Sequence, residues 1–172
     1  MELERRLVRL DTRLEAEAAE FLVPGHLLLE RIPAYKTYTN MPGYDLVAVN
    51  PDRNLSAKIQ VKSRWRTGAS GFPIRNLDCD FVVFCRLNRG TKTNRATLRL
   101  PEYYVLPIAA VRTAYRPGPF SKLYLREIPE AEQLRERWDL IRQFLGLPSP
   151  EPPAEEDEGV ASASLAAALP FT

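Results

Sequence analysis

The stretch from Tyr44 to Arg64 constrains the fold of this chain more than any other. It holds two short apolar runs, Leu46–Val49 and Ile59–Val61, on either side of the turn-forming segment Asn50–Asn54. A pattern of run, turn and run is typical of a β-hairpin, here with a loop longer than two residues. We therefore expect two adjacent antiparallel strands at this point of the chain.

The second of these strands carries polar residues in alternation. Lys58, Gln60 and Lys62 stand two residues apart, so they share one face of the strand while the apolar residues between them point to the other face. Asp45 stands at the start of the first strand. Because an unpaired buried charge is unfavourable, an acid facing an amide and an ammonium on the neighbouring strand favours a functional site over simple packing.

These residues also resemble a known family. Asp45, followed after fourteen residues by Gln60-Val61-Lys62, is similar to the core motif of the PD-(D/E)xK nuclease superfamily, in the branch where glutamine replaces the middle carboxylate (Q-V-K). Upstream, Ala19-Glu20-Phe21 followed by Leu27–Leu29 resembles the first helix of that superfamily and its acidic residue. The chain departs from the pattern twice: the usual Pro-Asp pair reads Pro42-Gly43-Tyr44-Asp45, and the second acid is an amide.

The resemblance implies both a fold and a chemistry. The fold would be α/β (α+β), a three-layer restriction-endonuclease-like core with a mixed central sheet flanked by helices. The activity would be phosphodiester hydrolysis on DNA that depends on Mg²⁺, with Mn²⁺ as an alternative. Asp45 would be the main metal ligand, joined by the amide oxygen of Gln60 and the backbone carbonyl of Val61. Lys62 would orient or deprotonate the attacking water and stabilise developing charge, and Glu20 would bind a second metal or a metal-bound water.

Each of these residues also has a purely structural interpretation. Lys62 can be a strand-end lysine whose ammonium reaches solvent, and Gln60 a structural amide bonded to a loop. Asp45 can cap the turn at Pro42-Gly43. Taken together with the order of helix and hairpin, the residues favour the nuclease-like site.

Basic residues near the hairpin predict contacts with nucleic acid. They are Lys36, Lys58, Arg64 and Arg66, with Trp65 as a stacking platform; an anchoring role in the fold is equally compatible with Trp65. Residues 1–146 hold all 24 Lys and Arg residues and 17 of the 22 acids, which gives them a charge of +7. A basic body favours a polyanionic partner.

Periodicity predicts two long helices. Residues 2–22 form an amphipathic pattern, which Pro24-Gly25 should kink or interrupt and which Leu27–Ile32 should resume for one or two turns. Pro129–Leu145 form the second pattern. The apolar stripe of the first helix consists of Leu3, Leu7, Leu10, Leu14, Ala18 and Phe21.

Several further strands are expected around the hairpin. Phe81–Leu87 is a continuous apolar run that predicts a buried central strand beside the Gln60-Val61-Lys62 strand. The remaining predicted elements are a short strand in Ala34–Tyr38, strands at Ala96–Leu100 and Tyr103–Leu106, a short helix at Ile108–Tyr115 and an edge strand at Lys122–Ile128.

The chain is expected to form a nuclease-like domain over residues 1–146 and a disordered acidic, proline-rich tail over 147–172. Its two cysteines, Cys79 and Cys85, suggest buried thiols and a cytoplasmic protein. The sequence shows no signal peptide and no apolar run long enough to span a membrane. His26 is the only histidine, which argues against a histidine triad or a multi-histidine metal site and favours a packing role for this residue.

Two other functions compete with a DNA nuclease. One is a catalytically inactive nuclease-like module that binds nucleic acid through its basic residues without needing magnesium. The other is an accessory protein whose tail binds a protein partner. A homodimer is an option in every case, since cutting both strands of a duplex favours two active sites.

Overall fold

A mixed β-sheet forms the centre of the molecule. The computed structural model describes residues 12–38, 43–91, 97–118 and 121–149. The strands are β1 (Ala34–Lys36), β2 (Leu46–Asn50), β3 (Leu55–Arg64), β4 (Gly71–Pro73), β5 (Phe81–Arg86), β6 (Glu102–Pro107) and β7 (Lys122–Tyr124). Five of them form the main sheet in the order β1-β2-β3-β5-β6, while β4 and β7 pair separately.

The predicted hairpin is confirmed as the antiparallel pair β2 and β3. Strand β5 lies parallel to β3, and its register sets Gln60 beside Val82 and Lys62 beside Phe84. The other neighbours in the main sheet pair antiparallel. The central apolar run was therefore placed correctly, next to the strand that carries the polar alternation.

Helices cover both faces of this sheet. On one face, α1 (Thr12–Leu29) and α3 (Asp139–Phe144) pack with the apolar side of β3, including Ile59 and Val61, in the first core cluster. On the other face, α2 (Ile108–Ala114) and the small β4–β7 sheet pack with Val82 and Phe84 in the second cluster. The predicted α+β architecture, a mixed sheet flanked by helices, is confirmed.

Helix α1 continues through Pro24, so the alternative in which Pro24-Gly25 interrupts the helix is wrong. Proline lacks the amide hydrogen that would bond to the carbonyl of Glu20, and such a residue inside a helix costs about 3 kcal/mol. Val23 and Pro24 are buried, and Leu27 is fully buried one turn later. Burial of this side of α1 against the sheet offsets the lost hydrogen bond. Residues 2–11 of the predicted helix lie outside the described residues.

The described part of the apolar stripe predicted for the first helix, Leu14, Ala18 and Phe21, faces outward. Ala19, Val23 and Leu27 make the contact with the sheet and are fully buried. By contrast, Leu14 is 69% exposed and Phe21 is 55% exposed. Helix α1 is thus apolar on two opposite sides, and periodicity selected the side that does not face the core.

The long helix predicted over Pro129–Leu145 is wrong. The segment contains a 3₁₀ turn at Ala131–Leu134 and only the short helix α3. Between them, Arg135 forms an isolated bridge with Tyr104, and the amide of Glu136 donates to the carbonyl of Tyr103 at 2.9 Å. Glu136 has a φ of 54°. The backbone therefore pairs with the edge of β6 here, which a continuous helix would prevent.

Two predicted strands are also shorter or absent. Strand β7 ends at Tyr124, where a 3₁₀ turn (Leu125–Glu127) replaces the rest of the predicted edge strand. Near Ala96–Leu100 the described residues 97–100 contribute only an isolated bridge between Leu98 and Arg89. The predicted tail falls outside the described residues from position 150 onward.

Three smaller expectations can be compared with the described residues. Cys79 and Cys85 are both free and buried, and burial raises the pKa of their thiols to about 11 and about 12, respectively. His26 packs as expected: its ring stacks on Trp138 with centroids 5.5 Å apart and lies 4.3 Å from the ring of Tyr103. Within the described ranges no helix has the length and apolar character needed to cross a membrane.

Candidate active site

The backbone of Asp45 is fixed where β2 begins. Its amide donates to the carbonyl of Ile59 at 2.9 Å, and its own carbonyl accepts hydrogen bonds from the amide and the hydroxyl of Thr37, each at 3.0 Å. The carboxylate reaches across to β3, where Oδ2 accepts a hydrogen bond from the amide of Val61 at 2.7 Å. Both the main chain and the side chain of Asp45 are therefore anchored to β3 at the level of Gln60-Val61-Lys62.

Asp45 precedes β2 at the point where the β2–β3 ladder shifts. The last regular pair is Leu46 with Ile59, and beyond it the amide of Asp45 bonds to the carbonyl of Ile59 rather than to that of Gln60. Gln60 and Lys62 stand two residues apart and share one face of β3, and Oδ2 of Asp45 accepts a hydrogen bond from the amide of Val61 between them. The predicted aspartate therefore contacts β3 between the amide and the ammonium.

Gln60 carries an unsatisfied polar atom. The residue is 6% exposed, and its side-chain oxygen Oε1 is buried without a hydrogen-bond partner among the described residues. Leaving such a group unpaired costs about 1–3 kcal/mol, so it requires an explanation. A buried amide oxygen without a donor is available to an ordered water or to a cation.

The pKa of Lys62 depends on its burial and on the charges of other predicted site residues. Burial lowers the pKa of Lys62, and attraction to Asp45, Cys79 and Glu20 opposes this shift. An ammonium with a lowered pKa loses its proton more readily than an exposed lysine. The opposing attractions show that both carboxylates act on Lys62, as the predicted site requires.

Glu20 reaches the site from α1. Burial raises the pKa of its carboxyl, a hydrogen bond from Lys36 lowers it, and repulsion from Asp45 raises it again. The negative charge of Asp45 therefore acts on the carboxylate of Glu20, which lies on α1. Electrostatic interactions thus link three of the residues predicted as catalytic, Glu20, Asp45 and Lys62, and Gln60 lies two residues before Lys62 on β3, while α1 itself packs on the opposite face of that strand.

Lys36 forms ion pairs with glutamates of α1, which the sequence did not predict. It was expected to contact nucleic acid, but its side chain is only 10% exposed and its ammonium lies 3.1 Å from Oε2 of Glu20, with Glu17 as a second ionic partner. The Phe21 ring centroid is 4.4 Å from the same nitrogen. Burial lowers the pKa of Lys36, but its hydrogen bonds to the two glutamates outweigh this and raise it. The sequence signal was the spacing of Glu17 and Glu20, which places them on one helix face.

The other predicted nucleic-acid contacts are exposed to different degrees. Arg66 is exposed, and the side chain of Lys58 is 45% exposed with Asp78 at 3.4 Å. Nε of Arg64 donates to the carbonyl of Gly71 at 3.0 Å, and Trp65 is partly buried against the first core cluster. Of this group, Lys58 and Arg66 are the side chains most available to a ligand, while Arg64 and Trp65 also support the fold.

Comparison with known proteins identifies the fold. No family model and no curated protein sequence matches the chain. Among solved structures, a bacterial homing endonuclease, I-Ssp6803I, superimposes with a TM-score of 0.53 and 23% identity, over 77% of this chain and 92% of that one. The chain has a nuclease-like fold. At this identity the likeness concerns the fold alone.

The side chains of this nuclease-like site fit a weakly held cation better than a preformed metal cage. No group of three or more His, Cys, Asp and Glu side chains comes together as a metal site among the residues that the structure describes. One carboxylate, Asp45, and one free amide oxygen, on Gln60, are available. Mg²⁺ is commonly bound by one or two carboxylates while keeping several waters and substrate phosphate oxygens, so this donor set is compatible with Mg²⁺ in the presence of substrate.

Proposed function

We propose that the protein is a Mg²⁺-dependent nuclease that hydrolyses phosphodiester bonds in DNA, of the PD-(D/E)xK type in its Q-V-K form. The observation that supports the proposal is the hydrogen bond from the amide of Val61, between Gln60 and Lys62, to the carboxylate of Asp45, with Glu20 interacting electrostatically with Asp45 and Lys62. Residues of these types on facing strands match the needs of phosphoryl transfer, which depends on charge neutralisation and positioning.

Asp45 and Gln60 are the residues that would hold the metal. Hydrogen bonding from Val61 fixes one oxygen of Asp45, which orients the carboxylate before any ligand arrives, and Oε1 of Gln60 has no competing donor among the described residues. The backbone carbonyl of Val61 is proposed as the third ligand. The bound Mg²⁺, or Mn²⁺ in its place, would neutralise phosphate charge and provide an activated water.

Lys62 is the proposed general catalyst at the phosphate. Its ammonium shares a face with the metal-ligand side chains, and attraction from Asp45 and Glu20 favours its charged form against the effect of burial. A charged Lys62 orients the attacking water and stabilises the negative charge that develops on the phosphoryl oxygens.

Glu20 is proposed to hold a water or to contribute to the cation site. Lys36 is proposed to position the carboxylate of Glu20. The ion pair between them joins α1 to β1, so Glu20 is held in place despite its raised pKa. We treat Lys36 as a positioning residue because it contacts Glu20 rather than the proposed reacting atoms.

DNA is the proposed partner on two grounds. Residues 1–146 carry a charge of +7, and the exposed side chains of Lys58 and Arg66 can pair with phosphates. The solved structure that shares the fold is a homing endonuclease. We also propose a cytoplasmic location, a homodimer and a protein partner for the tail.

A second function is favoured by one specific observation. Glu20 is paired with Lys36 and Gln60 is an amide, so Asp45 is the one carboxylate of the set without an ionic partner among the described residues. Such a site binds a cation weakly, and a nuclease-like module that holds nucleic acid without cleaving it would retain the same fold. That module would bind DNA in a salt-sensitive way with no magnesium requirement.

The test is cleavage of duplex, branched and single-stranded DNA in the presence of Mg²⁺, Mn²⁺ or a chelator. Asp45→Asn and Lys62→Ala should each lower the rate by about 10²–10⁴-fold, the usual contribution of a positioned catalytic group. Lys122→Ala, which removes an exposed lysine on β7, serves as the matched control and should cleave normally.

This experiment distinguishes the nuclease from the inactive DNA-binding module. Full activity of both site variants would reject the site. No cleavage by the wild type on any substrate, combined with DNA binding that chelator leaves unchanged, would favour the binding module instead.

A further inference from the structure

The outward face of α1 is a largely exposed apolar stripe, in which the ring centroid of Phe21 lies 4.4 Å from the ammonium of Lys36. Leu14, Phe21 and Leu28 are 69%, 55% and 58% exposed, and Leu29 is 81% exposed. At 3.6 residues per turn, these residues lie on the side opposite the buried Ala19, Val23 and Leu27. The arc that contains them holds no charged residue, since Glu15 and Glu17 flank it on either side. We call this set the α1 stripe; its members are Leu14, Ala18, Phe21, Leu22, Gly25, Leu28 and Leu29.

The exposed area of the α1 stripe is large for a free surface. A large apolar side chain presents roughly 150 Å² or more, and the exposed fractions of the five large residues amount to about three whole side chains. They expose on the order of 450 Å², which matches the largest apolar patch on a typical monomer. A standard interface buries about 800 Å² on each partner, so the α1 stripe provides about half of that by itself.

The spacing of the stripe points to another helix as its occupant. Positions 14, 18, 21, 25 and 28 alternate steps of four and three residues, the pattern of a coiled-coil seam. Upstream in the sequence, Leu10, Leu7 and Leu3 are also three or four residues apart, with one break in the alternation at Leu14, where two steps of four follow each other; these three leucines lie outside the described residues. The seam is therefore a regular pattern in the sequence and does not depend on a few isolated exposed residues.

The order of side-chain sizes points to a second copy of this chain. Along the seam, large and small residues alternate as Leu14, Ala18, Phe21, Gly25 and Leu28, and the pattern reads the same in both directions about Phe21. An antiparallel copy would set Leu14 against Leu28 and Ala18 against Gly25. Nothing lies within 4 Å of a Cβ placed on Gly25, which leaves space for a close helix approach. The stripe residues are uncharged, and the Lys36 ammonium beside Phe21 is paired with Glu17 and Glu20, so a copy facing itself meets little like-charge repulsion.

We propose that the protein forms a homodimer by antiparallel packing of α1 against α1, with the two-fold axis at Phe21. Such an interface is isologous, because the same patch is used by both copies. The dimer does not depend on the proposed nuclease activity, and an inactive protein would form it equally well.

Analytical ultracentrifugation of the full chain tests the interface. The wild type should sediment at twice the mass of the chain, while Leu14→Glu and Leu28→Glu should raise the dimer dissociation constant at least tenfold. Leu100→Glu is the matched control, since Leu100 is 85% exposed but lies outside α1, and it should leave the dimer intact. Circular dichroism confirms that each variant is folded, and all three positions are exposed.

Cysteine cross-linking tests the antiparallel register. Under oxidising conditions, a mixture of Leu14→Cys and Leu28→Cys chains should form a disulfide-linked pair, while each variant alone should form little. Cys79 and Cys85 are buried and do not interfere. A monomeric wild type, a dimer that both glutamate variants leave unchanged, or a chain that dimerises only after removal of residues 150–172 would each overturn the proposal.

Discussion

Lys36 lies with its ammonium 3.1 Å from Oε2 of Glu20, and this ion pair connects the short edge strand β1 to α1. The lysine is shielded from solvent and also pairs with Glu17. The ammonium of Lys36 lies between two glutamates of α1 and fixes the side chain of Glu20, the one predicted catalytic residue that lies on a helix. The arrangement therefore couples the helical layer to the candidate active site.

Lys36→Met should shift the acidic limb of the pH–rate profile to higher pH. The hydrogen bond from Lys36 lowers the pKa of Glu20, so its loss leaves burial and repulsion from Asp45 to raise that pKa further. The ionised fraction of a carboxylate falls as the pH drops through its pKa. If catalysis needs ionised Glu20, activity should therefore be lost at a higher pH than in the wild type.

The measurement is the rate of DNA cleavage against pH at saturating Mg²⁺. Lys122→Met is the control, because Lys122 is an exposed lysine on β7 and has no part in the proposed site. An acidic limb that stays at the same pH in Lys36→Met would contradict the positioning role.

The sequence predicted the hairpin and the central strand because both depend on local patterns. Alternation in β3 assigns Gln60 and Lys62 to one face whatever the rest of the chain does, and a continuous apolar run such as Phe81–Leu87 must be buried on both sides. The candidate site followed from these two features together with Asp45. The role of Lys36 did not follow, since it depends on where β1 lies relative to α1.

Tertiary contacts explain the two main errors. Helix α1 is apolar on two sides, and periodicity cannot tell which of them packs on the sheet; the structure buries Val23 and exposes Phe21. The region around Glu136 has helical spacing, but its amide bonds to Tyr103 of β6. Pairing with the sheet edge, which no local pattern reveals, prevails there over helix propensity.

Gln60→Met should stabilise the metal-free protein and weaken the metal site. The buried Oε1 of Gln60 has no hydrogen-bond partner among the described residues, and replacing an unsatisfied amide with an apolar side chain of similar length removes a penalty of about 1–3 kcal/mol. Urea unfolding without metal should show a higher free energy of unfolding. Calorimetry should show loss of Mg²⁺ binding, since the amide oxygen is a proposed ligand.

Gln60→Glu is the informative counterpart of that variant. A carboxylate at position 60 should bind Mg²⁺ at least tenfold more tightly, equivalent to about 1.4 kcal/mol, and should destabilise the metal-free protein because a charge is then buried. If Gln60→Met unfolds more easily than the wild type in the absence of metal, Gln60 is a structural amide and the ligand assignment fails.

Lys62→Arg should keep part of the activity and lose the alkaline limb of the pH–rate profile. Burial lowers the pKa of Lys62, so the wild-type ammonium is lost as the pH rises through that lowered value. Arginine remains charged throughout this range. If the charge at position 62 is what stabilises the transition state, the arginine variant should stay active at pH values where the wild type declines, and Lys62→Ala should be inactive throughout.

The opposite pH–rate profile would assign a different role to Lys62. Activity that rises with pH in the wild type, together with a completely inactive Lys62→Arg, would indicate that the neutral amine acts as the general base. Comparison of the three proteins across the alkaline range therefore separates charge stabilisation from proton abstraction.

Gly43→Ala should destabilise the protein and impair the candidate site at the same time. Gly43 has a φ of +105°, and a Cβ added there would lie 2.8 Å from the backbone carbonyl oxygen of Asp78. This backbone conformation disfavours any side chain, with a cost of about 1–3 kcal/mol, and the carbonyl cannot move away as a flexible side chain would. Because Gly43 stands two residues before Asp45, relief of the clash should displace that carboxylate from the Val61 amide.

Urea unfolding and cleavage should therefore change together in Gly43→Ala. Gly118→Ala is the matched control: a Cβ there meets nothing within 4 Å, and its backbone shows no positive φ that would strain a side chain. That control should keep wild-type stability and activity. A stable Gly43→Ala protein that cleaves at the wild-type rate would mean that the turn before Asp45 tolerates a side chain. The glycine in Pro42-Gly43-Tyr44-Asp45 would then not be what positions the aspartate.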